Sequence, residues 1–131
     1  MIQQRKKDYL QRLIEEFFAK LHQLTDNREK MSIDEQKSLL ADCFRFFDQN
    51  FAVIPDCSID QVVKQVGNLE LLDQYAGLLL KEYELSRIKN SELLIKALSL
   101  VEYLQNEDST YSWERTVVRE DILRLLSAAN P

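Results

Sequence analysis

Two glycines and two prolines in 131 residues leave few places where this chain can turn sharply. A β-domain needs turn chemistry about every 8–12 residues and normally carries more of both. Leucine, a good helix former, fills 21 positions, so helix is the expected state.

The apolar spacing agrees. Leu10, Leu13, Ile14, Phe17, Phe18, Leu21 and Leu24 fall on one face of a 3.6-residue period, with Arg12, Glu15, Glu16 and Lys20 opposite. The polar run from Thr25 to Lys30 ends that helix. Ser32 with Glu35 fits a capping box, opening a second helix through Leu40, Cys43, Phe44, Phe47 and Phe51, with Leu39 and Phe46 as a second stripe. Pro55 is expected to close it, because proline disfavours helical geometry at Ile54. Ser58 with Gln61 repeats the capping pattern for a short helix over Val62, Val63 and Val66, with Gly67 as its left-handed C-terminal cap.

Asn68 can then cap a long fourth helix, from about Leu69 to Arg87. Leu72, Tyr75, Ala76, Leu79 and Tyr83 form one stripe, and Leu71, Leu78 and Leu85 another, the pattern of a central helix. Gly77 inside it costs up to about 1 kcal/mol relative to alanine, so a neighbouring helix is expected to approach closely there. The short break at Lys89-Asn90-Ser91 implies an antiparallel hairpin. Leu94, Ala97, Leu98, Val101 and Leu104 give the fifth helix its inner face. Ser112 can cap a last helix striped with Val118, Ile122, Leu125, Leu126 and Ala129. No linker divides the chain. The expectation is an all-α, single-domain bundle of five to six helices over 1–131: an N-terminal helix in 1–31, two helices in 32–67, and a hairpin plus final helix in 68–131.

Charge and cysteine content narrow the function classes. The net charge of −5 argues against general nucleic-acid binding, which depends on neutralising phosphates. Residues 1–31 carry seven basic and five acidic side chains, and the remainder ten and seventeen. That opposite-sign bias favours packing of the two parts or head-to-tail association. Two cysteines, Cys43 and Cys57, beside so much leucine read as free buried thiols in a reducing cytoplasm, with a single bridge between them as the alternative. No apolar run reaches 18 residues and no signal-peptide core is visible, so stable membrane insertion and secretion are not expected.

Motifs for chemistry are missing. Neither Gly67 nor Gly77 sits in a phosphate-loop or dinucleotide context. No CxxC or HxxxH spacing joins Cys43, Cys57 and His22, and the ExxH pattern of helical di-metal sites is absent. No catalytic residue, metal or cofactor is therefore expected. His22 could act as a base only with an orienting carboxylate and a nucleophile in reach; Glu15, Asp26 or a cysteine could serve, but no motif ties them together. Arg5-Lys6-Lys7 ahead of Phe17 and Phe18 could mark a membrane-surface helix. Glu15 and Glu16 interrupt its polar face, so a packing or dimer-forming helix is the preferred reading.

Asp8-Tyr9-Leu10-Gln11-Arg12-Leu13-Ile14-Glu15-Glu16-Phe17, close behind Met1-Ile2, resembles the opening of an uncharacterised family of small bacterial all-helical proteins. The resemblance implies a helical fold and a bacterial, cytoplasmic origin, and no particular activity. The second half also resembles a tetratricopeptide hairpin, with Tyr83 and Ala97 as its interlocking large and small residues. The repeat's Trp-Leu-Gly-Tyr signature and a second copy at 34 residues are absent.

The expected function is that of a noncatalytic helical interaction or scaffold protein, with a protein partner or a second copy in a homodimer. Candidate interface residues are Phe17 and Phe18 on the first helix, Phe46 on the second, and Tyr111, Trp113 and Arg115 around the start of the last; tryptophan, tyrosine and arginine dominate binding hot spots. The alternative is a small-molecule binding protein or enzyme whose pocket, between helices four, five and six, is walled by Tyr83, Tyr103 and Trp113.

Overall fold

A computed structural model describes residues 2–26, 30–110 and 112–129, with 2–8, 10, 25 and 129 described by backbone alone. The described chain is all-helical: α1 (Ile2–Asp26), α2 (Ile33–Phe51), α3 (Ile59–Val66), α4 (Leu69–Leu85), α5 (Ser91–Glu107) and α6 (Trp113–Ala129). The helices group into two compact units, residues 1–46 and 47–131, and the division falls inside α2 between Phe46 and Phe47.

In the first unit, α1 and the start of α2 meet through aromatic rings. Phe17 stacks on Phe46 at 4.6 Å between centroids and meets Phe18 edge-on. Lys20 reaches Asp42 at 4.0 Å, so contacts step backwards along α2 and the two helices run antiparallel. Ser32 begins α2 as expected, its hydroxyl accepting from the Glu35 backbone N–H and donating to the Glu35 carboxylate. Cys43 is fully buried, and burial pushes its thiol up to about 11.

In the second unit, α2 ends at Phe51, before Pro55. Ala52 takes the left-handed conformation at φ 55°, and the Val53 N–H turns back to the Phe47 carbonyl. Local chemistry then sets α3. Ser58 and Gln61 form a complete capping box, and Gly67 at φ 65° donates its N–H to the Val63 carbonyl. The side chain of Asn68 caps α4 by accepting from the Leu71 N–H.

Helix α4 is the centre of this unit and packs against α3, α5 and α6. The stripe of Leu72, Tyr75, Ala76, Leu79 and Tyr83 is buried throughout, the second is buried at Leu71 and Leu78 with Leu85 half-buried, and Tyr75 meets Phe47 edge-on at 4.9 Å. It stops at Leu85, two residues short of the expected Arg87. Ser86 Oγ donates to the Glu82 carbonyl, and Lys89 Nζ donates to the carbonyls of Tyr83 and Glu84. These groups satisfy the otherwise unpaired last carbonyls of the helix. After a five-residue connection α5 begins, capped by Asn90, and its inner face buries Leu94, Ala97, Leu100, Val101 and Leu104. Leu98, expected on that face, is half-buried and Leu100 takes its place. Lys96 Nζ holds the Pro55 carbonyl at 2.7 Å, tying α5 to the α2–α3 connection.

Gly77 corrects one expectation. A Cβ built there meets nothing within 4 Å, so no neighbouring backbone requires a glycine at this position.

Candidate interaction surface

The start of α6 is built around one buried ion cluster. Ser112 Oγ accepts from the Arg115 backbone N–H, so the helix is capped as the sequence predicts. The Arg115 side chain then turns inward. Its Nε donates to Asp73 Oδ1 at 2.8 Å and its Nη2 to Asp73 Oδ2 at 2.7 Å, a bidentate fork onto α4. Nη2 also reaches Asp108 Oδ2 at 3.1 Å, in the α5–α6 connection.

Arg115 is 6% exposed. The two carboxylates raise its pKa further above the ordinary arginine value against the opposing effect of burial, Asp73 acting most strongly. Asp108 also accepts from the Thr110 N–H, and that bond, followed by the guanidinium, holds its carboxyl below the ordinary aspartate value. One side chain thus joins the beginning of α6 to α4 and to the end of α5.

With its inner face fixed in this way, α6 presents three large apolar side chains on its outer side. Trp113 is 69% exposed, and Val117 and Leu123 are also exposed. At about 100° per residue the three fall within an arc of about 120°. The other exposed large apolar side chains are scattered: Tyr9, Ile33, Leu69 and Ile95 on separate helices, Ile54 and Ile88 in connections. Single exposed apolar residues are ordinary, whereas clustered ones mark contact surfaces. Among the described residues, α6 alone carries three.

The other expected interface residues are placed differently. Phe17 is 2% exposed, because it packs against Phe18 and Phe46. It is a packing residue in this chain rather than a free association face. Phe18 and Phe46 are half-buried in the same aromatic group. Arg115, expected at an interface, is spent inside the fold. Tyr111 lies outside the described residues. Of the five that are described, Trp113 alone stands open to solvent.

Periodicity in α6 could have separated these roles. Arg115 precedes the buried Ile122 by seven residues and so shares its face, whereas Trp113 precedes it by nine and lies about 180° away. An arginine on an inner stripe calls for a buried carboxylate partner, which no local spacing names. Asp73 and Asp108 were missed for that reason.

The walls proposed for a ligand pocket do not converge. Tyr103 lines an open cleft of about 530 Å³ between α3 and α5, with Ser58, Ile59, Asp60, Val63, Lys64 and Ser99. Neither Tyr83, which is buried beneath Lys89, nor Trp113 lines it. His22 Nδ1 lies 2.7 Å from Asp26 on the exposed side of α1. Cys43 and Cys57 are both free thiols. Among the described residues, no three His, Cys, Asp or Glu side chains converge as metal ligands, and no helix is long and apolar enough to cross a membrane. No family of known proteins, no curated protein and no solved structure matches this chain.

Proposed function

We propose that this chain is a noncatalytic helical interaction protein whose contact surface is the outer face of α6, with Trp113 as the anchor. The observation that carries this is the exposure of the indole on a helix start that Arg115 fastens. A large amphipathic side chain held on a rigid element loses little conformational freedom on binding, which is why tryptophan dominates interface hot spots. Val117 and Leu123 extend the same face.

The setting proposed is a bacterial cytoplasm. The resemblance of residues 8–17 to a family of bacterial helical proteins supports it, as do the two free thiols. The tight α4–α5 pair supports likeness to a tetratricopeptide hairpin. A single hairpin forms no concave repeat groove, so the contact surface is assigned to α6 instead.

The test compares Trp113→Ala with the parent chain as bait in a bacterial lysate. A stoichiometric partner retained by the parent and lost by the variant, with the helical circular dichroism unchanged, is the expected result. Equal retention by both chains would rule out α6 as the contact surface.

A second reading has one observation in its favour. The α3–α5 cleft has the volume of a small-molecule site, roughly 300–1,000 Å³, and carries Lys64, Asp60 and the Tyr103 ring. Its open form places it behind the α6 surface, because ligand sites enclose most of their ligand.

A further inference from the structure

The outer face of α6 is self-complementary in charge as well as apolar. Trp113, Val117, Glu120 and Arg124 stand at offsets of 0, 4, 7 and 11, a single stripe, and all four are exposed. Its two charges are opposite and lie one turn apart. Arg124 is 70% exposed and lies 3.5 Å from Asp121 on its own helix. Leu123 borders the stripe between them.

That order distinguishes the ways in which two copies could meet. A parallel pair sets Glu120 against Glu120 and Arg124 against Arg124. An antiparallel pair about a twofold axis near residue 122 sets each Glu120 against Arg124 of the other copy. It also brings the two Leu123 side chains together at the axis. Val117 then lies opposite the exposed Ser127 of the second copy.

From this arrangement we infer that a second copy of the chain occupies this surface, as an isologous antiparallel α6–α6 pair. The inference rests on the α6 reading above and names the partner. The 17 residues of α6 span about 25 Å. One such helix pair buries less than the roughly 1,200–2,000 Å² of a standard stable interface. The dimer is therefore weak, with a dissociation constant in the micromolar range and greater strength at low salt, where partly exposed ion pairs are least screened.

The experiment is sedimentation equilibrium of the purified chain alone, between about 5 and 500 µM, at low and high salt. Three charge variants accompany the parent: Glu120→Arg, Arg124→Glu and the double exchange. Each single exchange places like charges together at two symmetry-related points and is expected to weaken the dimer about tenfold. The double exchange restores both pairs and is expected to return the dimer to within about threefold of the parent. These side chains are exposed, so circular dichroism should show all four chains equally folded.

A monomer at every concentration would overturn the inference, as would a dimer indifferent to the single exchanges or one that the double exchange fails to recover. None of those outcomes touches the Trp113-dependent capture of a different protein. Loss of that capture, with the dimer intact, would in turn remove only a separate partner.

Discussion

Replacing Arg115 with alanine tests how α6 is held. The change removes three charge-assisted hydrogen bonds, two to Asp73 and one to Asp108. It leaves both carboxylates in place, each with a side chain about a quarter exposed (26%). Breaking a fully buried ion pair costs about 3–5 kcal/mol, because the remaining charge stays unsolvated. Here the carboxylates can regain water on one side, so the expected loss is about 2–3 kcal/mol.

The loss should fall on α6 before it reaches the rest of the chain, since Arg115 is the polar link between α6 and α4. Native-state hydrogen exchange reads this directly. Protection of amides around the buried Ile122 should drop about 30- to 150-fold, the equivalent of that free energy, while amides in the middle of α4 change less. Arg115→Lys keeps the charge but replaces a planar fork with a point donor, and should show roughly half the effect. If Arg115→Ala leaves α6 protection within about twofold of the parent, the cluster does not hold the helix and the account of its rigid outer face fails.

Other perturbations have defined outcomes. Gly77→Ala should stabilise the chain by about 0.5–1 kcal/mol in urea denaturation, because the added methyl meets open space and alanine favours helix. Asp108 has a folded-state pKa below its unfolded value, so its contribution is complete above the unfolded pKa of about 4 and declines as pH falls through the lower folded value. Asp108→Asn should accordingly weaken the acid dependence of stability below about pH 4 and leave it unaltered between pH 6 and 8. Cys43, buried and with its thiol pushed up to about 11, should react with iodoacetamide at pH 8 far more slowly than the half-buried Cys57; peptide mapping of a time course resolves the two.

Local chemistry made parts of this fold legible in the sequence. Ser58, Gln61 and Gly67 define α3 through hydrogen bonds spanning three or four residues, and the chain carries those partners wherever it goes. The two stripes of α4 were equally visible, because burial against several neighbours leaves apolar residues around most of a helix. Where two signals competed, the nearer one won. Ala52 and the Lys89 side chain end their helices earlier than Pro55 and Arg87 suggest. The remaining features depend on distance. Arg115 and Asp73 are 42 residues apart, and nothing short of the tertiary arrangement brings them together. Gly77 misled for the opposite reason, since a helical glycine that touches nothing carries no packing message. Phe17 and Trp113 looked alike as exposed-face candidates, yet one is covered by Phe46 and the other stands 69% exposed.

Site-specific photocross-linking tests the α6 surface most directly. A benzophenone side chain placed at Val117, in α6's exposed outer stripe, is compared in living cells with one at Lys37, exposed on α2. A discrete cross-linked product from position 117 that disappears when Trp113 is also replaced by alanine is the predicted result. Cross-linking that is equal at the two positions, or that persists without Trp113, would contradict the assignment of α6 as the interaction surface.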